Sequence, residues 1–599
     1  MRIAALALLL LSIGTAAPPP PLPLPAASAS LPSSWRILPG LNAVSHCPST
    51  CVTVAPFRCL GLFPGANASA CIAACIAEPS CHQATWAADD GRCFTRTDGQ
   101  WQLVPGGTVA ACDNATVLGC IPPPPRNNTR LTAAVGAAPA GVTTHALSPA
   151  VTLDGWNGTL FPKWGSGSYL TLDLDSPRLL ALAAALSPGI LRLGGSPEDS
   201  IQFDDDGSCV AGSGGDGPAP AGYYCSQVRP YVYGCLTRAR WLALLAFAAR
   251  TNLSIVLGLN GCTGRMSADG AMDVGNVRAL LEATAASPHA AALHGLELSN
   301  EVFVNSITPR AWGADAVRIT ALAQQLLGRR LAFAGPDDAS PAHLALALNS
   351  TPAGTLSALT YHHYPGCEAN SSDYFALDPA CLQIIDDWGT LFSSVGASRG
   401  VPTWAGETAE HGGGGVTGLT DTFTSSLYYA WQLGTLPLHG VELAARQALV
   451  GGDYELLDRD TLAPNPDYWV LYLFKALIGG GARAFPVNVS ASAAASGVRV
   501  FCFSASAATG AARTLLALSL NTVGARIEVE LQGEGMGGAR LEYALSGDLA
   551  APRGAVACNG AALQLDADGT PPPWRALGVA RAAGAPLELA AASVVFATL

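Results

Sequence analysis

A chain of 599 residues is longer than one ordinary core can organise, so roughly two to four domains are expected. The formal net charge is −12, lysine occurs only at Lys163 and Lys475, and there is no basic run, which excludes a nucleic-acid partner and argues against a strongly polyanionic substrate. Past the N-terminus no run of about 18 apolar residues occurs, so no transmembrane segment is expected; membrane contact would be peripheral, or would be cell-wall association.

Met1-Arg2, the apolar run Ile3 to Ile13 and the small residues Gly14-Thr15-Ala16-Ala17 have the three-part form of a secretory signal, with cleavage expected near Ala17. The run is too short to span a bilayer comfortably as a signal anchor. Seventeen cysteines and eight Asn-x-Ser/Thr sequons, at Asn67, Asn114, Asn127, Asn157, Asn252, Asn349, Asn370 and Asn488, agree with export. A secreted protein is therefore expected, with a lysosome- or vacuole-like compartment, or membrane association, as the alternative. Residues 18–42 read as a proline-rich tether. Residues 43–121 hold nine cysteines, at 47, 51, 59, 71, 75, 81, 93, 112 and 120, and read as a disulfide-stapled module with one thiol free or paired elsewhere. The Cys71-x3-Cys75-x5-Cys81 run reads as helical and Cys93-Phe94 as part of a strand. This pattern resembles PAN/apple modules, which bind proteins or glycans; a stapled spacer without a ligand is the alternative.

Residues 122–150, opening on Pro122 to Pro125, read as a second linker. From 151 to 482 short apolar strands alternate with Ala/Leu-rich helical patterns, the signature of β/α units. Expected strands are Tyr169–Leu174, Ile190–Leu193, Ser254–Gly258, Gly295–Leu298, Leu331–Ala334, Ala358–His362, Thr403–Ala405 and Gly440–Leu443, with helices such as Arg238–Arg250, Ala311–Leu327 and Asp421–Leu433. Eight strands favour an α/β fold of (β/α)8 barrel type over a doubly wound sheet, and the loops after the strands would build the site. Residues 483–599 alternate in the manner of a β-sandwich, to which a segment near 150–165 would add strands.

Two strand ends carry the chemistry. His294 to Glu301 and Pro402 to Glu407 each deliver a carboxylate, after the fourth and the seventh strand. Such a pair suits glycoside hydrolysis, with Glu301 as acid/base and Glu407 as nucleophile. A like charge nearby would keep Glu301 protonated for the first step and release it as a base for the second. Asn300 can hydrogen-bond the sugar 2-hydroxyl, and Tyr364 can hold Glu407 or simply pack. Gly195 and Asn260, at two further strand ends, are expected to contact substrate. His362 and His363 point to opposite faces of a strand, so neither a metal nor any other cofactor is assigned.

From about Val151 onward the chain resembles glycoside hydrolase family 79, the heparanase and β-glucuronidase group, in plant-like form. The resemblance rests on Leu191 to Ser196, Leu257 to Asn260, Leu298 to Glu301, Gly335-Pro336-Asp337, Tyr361 to Tyr364, Trp404 to Thr408, Arg446-Gln447, Gly452-Asp453-Tyr454 and Pro466 to Trp469. It implies a barrel plus sandwich, a retaining mechanism, the roles given to Glu301 and Glu407, and a uronate carboxylate bound by the Gly452 backbone and the Tyr454 hydroxyl. Three departures stand out. Where the family has a tyrosine five residues after the nucleophile this chain has Gly412, followed by glycines including Gly413 and Gly414, whose amides can still cradle a carboxylate. The basic pair expected for sulfate after Gly335-Pro336-Asp337 is missing. A Gly/Cys-rich insert from Asp205 to Cys235, stapled through Cys209, Cys225 and Cys235 or else forming a flexible lid, replaces an excised linker. The expected partner is a glucuronic-acid-containing polysaccharide or proteoglycan cleaved by a β-glucuronidase. A heparanase-like endo-enzyme on sulfated chains and a catalytically silent glycan-binding protein are the alternatives. Oligomeric state stays open.

Overall fold

The computed structural model describes residues 129–599 except 157, 160, 208, 210–233, 302–306, 366–378, 491–496 and 522–525, together with the backbone of six strands between Trp35 and Cys112. The chain divides into two compact units, Met1–Pro125 and Arg126–Leu599. In the first, strands Trp35–Val44, Thr53–Val54, Phe57–Arg58, Gln83–Ala87, Arg92–Arg96 and Gln102–Cys112 make one antiparallel sheet. Trp35–Val44 pairs with Gln102–Cys112, so this strand takes up the end of the segment expected to be tether. Cys93-Phe94 lies in a strand. The Cys71 to Cys81 run falls outside the described residues.

The second unit opens its barrel with β1 (Ala150–Asp154) and β2 (Gly189–Gly194) and continues through β3 (Leu253–Leu259), β4 (Leu293–Leu298), β5 (Ala332–Asp338), β6 (Ala358–His363), β7 (Thr403–Thr408) and β8 (Val441–Arg446). The eight strands are parallel and close on themselves. A helix follows each strand: α1 (Pro177–Ala185), α2 (Arg238–Thr251), α3 (Gly275–Ala285), α4 (Pro309–Leu327), α5 (Pro341–Ser350), α6 (Pro379–Ala397), α7 (Phe423–Thr435) and α8 (Pro466–Leu477). Thr237 and Thr308 cap α2 and α4 by accepting the backbone N–H groups of Arg240 and Ala311. The protein is thus a (β/α)8 barrel.

Strand alternation decides what the barrel holds. Ile190, Val256, Ala334, Ala358, Trp404 and Leu443 point inward and fill its lower part, while neighbours such as Leu191, Ile255, Leu257 and Leu359 point outward into the helix layer. Continuing the inward set two residues along β2 gives Arg192, and four residues along β6 gives His362. The apolar plug thereby gives way to charged groups at the C-terminal ends.

Two expectations are corrected. Tyr169–Leu174 is a run of turns, not a strand: its buried apolar residues pack beside the barrel while Arg240 donates to the carbonyls of Tyr169 and Leu172, at 2.6 and 2.7 Å. Ala150–Asp154, expected to feed the sandwich, is instead β1. The sandwich strand comes from the second linker, at Thr129–Val135, which pairs with Val487–Val489 and Ile527–Gln532.

The sandwich sets that four-stranded sheet, completed by Leu587–Leu589, against a larger one built on Val498–Ser504, Arg513–Ser519, Ser593–Thr598 and Arg540–Gly547. The larger sheet is buried on both faces. Val500, Leu515, Ala517 and Val595 meet the smaller sheet, while Phe501, Leu516, Leu518 and Phe596 meet the barrel side. Helix α7, buried along its whole length, lies in that second layer, and a Cβ at Gly434 would sit 2.1 Å from the Phe501 ring. Among the described residues no helix is long and apolar enough to cross a membrane. The described sequons Asn252, Asn349 and Asn488 are exposed.

Candidate active site

Strand β4 ends at Leu298, and the chain then turns through left-handed backbone at Ser299 (φ 65°) and Glu301 (φ 53°). Such backbone is costly for residues with a Cβ and persists where neighbours hold it. Here Ser299 N–H donates to Leu259 O (3.0 Å), Asn300 N–H to an Asp199 carboxylate (2.9 Å) and Glu301 N–H to Asp337 O (2.9 Å), so β3 and β5 fix the turn from both sides. Glu407 sits within β7. Its Oε1 accepts a short hydrogen bond from the Tyr364 hydroxyl, and its Oε2 accepts one from Arg192 Nη1 at 2.9 Å. A carboxylate oxygen of Glu301, one of Glu407 and a His362 ring nitrogen lie within 4.8 Å of one another. Both glutamates open into one cavity of about 490 Å³.

Arg192 is the hub beneath this pair. Fully buried, it donates to Glu297 (2.7 Å), Glu407 and Asn300 Oδ1 (2.9 Å), and lies 3.8 and 3.9 Å from Asp337 and Glu198. Burial favours its neutral form, but the surrounding acids outweigh that and hold it charged. Not every acid can then ionise. Burial pushes the Glu198 carboxyl well up, and burial with the nearby Asp337 charge raises Glu297 to about 7. Asp154, at the end of β1, is raised to about 8 by burial and the Glu407 charge.

His362 stands beside both glutamates. Its Nδ1 is 2.8 Å from Glu301 Oε1 and 3.8 Å from Glu407 Oε2, and its Nε2 is 3.4 Å from Asp337 Oδ1. Burial disfavours the imidazolium, yet Glu407, Asp337 and Glu301 together raise its pKa to about 10. A protonated imidazole there screens the repulsion between the glutamates on which the sequence argument relied. His363 faces the other way, stacked on Trp388 at 4.7 Å. Because the folded-state pKa of His362 exceeds its unfolded value of about 6.5, its stabilising contribution is complete below that pH and is lost as pH rises through 10. The melting-temperature advantage of the wild type over His362→Gln should therefore shrink steadily from pH 6.5 to 10; an advantage that grew over that range would contradict the assignment.

The sequence-derived binding residues divide. Tyr364, Tyr454, Gly413 and Gly414 line the cavity, and the N–H groups of the two glycines, at φ 63° and 83°, donate to no acceptor among the described residues. Asn300 keeps a buried Nδ2 without an acceptor there. Gly452 does not offer its N–H, which donates to Lys163 O at 3.0 Å; a Cβ at Gly452 would lie 2.6 Å from the Tyr454 ring, so this glycine seats the tyrosine. Gly195 makes room for Asp154, whose carboxyl group would lie 2.4 Å from an added Cβ. Asn260 is elsewhere: it donates to Ile201 O, accepts from Cys262 N–H and borders a separate cavity of about 30 Å³. Asp154, Gln447, Lys163 and an aromatic group of Trp156, Phe161 and Trp164 add to the walls, and none was given a site role from sequence. Asp154 would have been found had β1 been recognised. In the insert, Cys209 pairs with Cys235; Cys225 lies outside the described residues.

Residues 151–434 match the family model for the N-terminal domain of glycosyl hydrolase family 79. This part of the chain belongs to that family. Heparanase-like protein 2 of Arabidopsis thaliana is 28% identical over 344 residues, which cover 53% of this chain and 61% of that protein. The chain thus spans less than two thirds of that relative. Baicalin-beta-D-glucuronidase of Scutellaria baicalensis is 24% identical over 376 residues, covering 55% of this chain and 67% of that protein. Among solved structures, a 4-O-alpha-L-rhamnosyl-beta-D-glucuronidase from Fusarium oxysporum aligns with a TM-score of 0.52 at 14% identity, over 78% of this chain and all of the other, a likeness of fold. Family 79 membership accords with the barrel and with both glutamates at its C-terminal rim.

Proposed function

We propose that this chain is a secreted, retaining glycoside hydrolase that cleaves β-glucuronide linkages in extracellular glycans or proteoglycans. The observation that carries the reading is the approach of the Glu301 and Glu407 carboxylates to within 4.8 Å across one cavity, which suits a double displacement and falls short of the roughly 6.5–9.5 Å that an inverting pair needs. Glu407, oriented by Tyr364 and Arg192, attacks the anomeric carbon as Glu301 gives its proton to the departing oxygen. Glu301 then takes a proton from water, which attacks the same carbon and frees Glu407. Asn300, next to Glu301 but not among the residues that line the cavity, keeps its buried Nδ2 without an acceptor among the described residues, which supports a role as donor to the 2-hydroxyl, a bond that would strengthen as positive charge develops on the ring. The amides of Gly413 and Gly414, with the Tyr454 hydroxyl, supply neutral donors for the uronate carboxylate. The name of the Scutellaria relative supports the glucuronide, and the name of the Arabidopsis relative supports a second reading, heparanase-like endo-cleavage of sulfated chains. Against the latter, Lys163 is the only cationic side chain among the described residues that line the cavity. The test is hydrolysis of an aryl β-D-glucuronide followed by proton NMR. Release of the β-anomer first is expected; the α-anomer first would remove the retaining mechanism, and no hydrolysis would remove the activity.

A further inference from the structure

Lysine occurs twice in this chain, and one of the two lies at the mouth of the cavity. Lys163 belongs to the loop between β1 and α1, whose placement does not depend on its side chain alone. Its carbonyl accepts from Gly452 N–H, and Gly165 and Gly167 pass so close to Arg459 and the Gly451 backbone that no Cβ would fit at either. The Lys163 side chain runs over the glycine turn after β7, with its Cδ 3.1 Å from where a Gly414 Cβ would be, and its Nζ donates to Gly415 O at 2.8 Å. The nearest anion, Asp453 Oδ2, is farther, at 3.6 Å. Asp453 is already held by Arg459 at 3.0 Å and by the Thr417 hydroxyl. An ammonium carries three protons, so beyond the Gly415 bond it retains donor capacity beside the two open amides of Gly413 and Gly414. At Gly412 the wall is vacant: a Cβ there would make only ordinary contact, 3.5 Å, with the Tyr364 ring. Among the described residues the other ionisable groups lining the cavity, tyrosines apart, are the carboxyls of Asp154, Glu301 and Glu407, none of which can attract an anionic sugar.

We propose that Lys163 is a specificity-determining ligand of the substrate carboxylate, completing with the Gly413 and Gly414 amides a site that selects uronosides over neutral hexosides. This rests on the glucuronidase reading and names how its substrate is chosen. The half-exposed ammonium is screened by solvent, so its effect is modest. Lys163→Met should lower kcat/KM on an aryl β-D-glucuronide by about 10- to 30-fold, mostly through KM, while Lys163→Arg keeps most of it. The loss should be confined to the glucuronide, with the aryl β-D-glucoside unaffected by comparison. Equal losses on both substrates, or none on the glucuronide, would overturn the assignment. Binding of D-glucuronate and of D-glucose, followed by saturation-transfer NMR, tests the same residue without turnover. A wild-type preference for glucuronate that disappears in Lys163→Met supports the role, and a preference that persists overturns it. A wild type that binds glucuronate selectively yet hydrolyses no glucuronide would sink the enzymatic reading and leave the lysine assignment standing.

Discussion

Replacing Glu407 with Gln should lower kcat/KM on an aryl β-D-glucuronide by about 10⁴-fold, the scale seen when a nucleophile is removed from a preorganised site. The amide keeps the shape of the carboxylate and can still accept from Tyr364, so the loss would reflect chemistry rather than collapse. Two side effects are predictable. Arg192 loses one of its charge-assisted partners but keeps Glu297 at 2.7 Å and Asp337 at 3.8 Å, so the core stays compensated. Asp154, raised to about 8 by burial and then by the Glu407 charge, should titrate lower in the variant. Purified protein with unchanged circular dichroism and activity within about tenfold of wild type would mean that Glu407 does not form the covalent bond.

Glu301→Gln should behave differently, and the difference identifies its role. A positioned general acid contributes about 10²- to 10⁴-fold, but only when the departing oxygen needs a proton. On a sugar or alkyl aglycone the variant should lose most of that factor in kcat/KM. On a dinitrophenyl glucuronide, whose leaving group is already stable as an anion, the first step should be nearly intact. The second step would still lack its base, so the glycosyl-enzyme should accumulate and show as a burst of released phenol. Azide, which needs no deprotonation, should speed its turnover and give a glycosyl azide of retained configuration. Equal losses on both leaving groups would take Glu301 out of proton transfer.

How much of this was readable from the residues differs from element to element. Seven of the eight barrel strands overlap their expected positions because each joins an apolar run to a glycine or polar terminus. Helix ends moved little: Asp421–Leu433 became Phe423–Thr435 because Thr422, not a residue before Asp421, caps the first turn. The failure at β1 has a cause in length and context. Ala150–Asp154 is a short run lying directly after the second linker, whereas the turns of Tyr169–Leu174 carry buried apolar residues that imitate a strand. Glu301 and Glu407 announced themselves by position at strand ends. Their supports did not. Arg192 meets Glu297 and Glu407 across 105 and 215 residues of sequence through the register of parallel strands, for which no local pattern exists. Asn260 misled because a strand-end asparagine also serves to tie down a loop, as it does here with Ile201 and Cys262.

In the proposed double displacement the buried guanidinium would have a further effect on turnover. With the sugar covalently attached, Glu407 would be an ester without a formal charge, and the buried Arg192 would be left with one counter-ion fewer. Hydrolysis would give that counter-ion back. The same side chain that aims the proposed nucleophile in the first half-reaction would thereby make it a better departing group in the second, biasing the acylal-type ester toward breakdown instead of persistence.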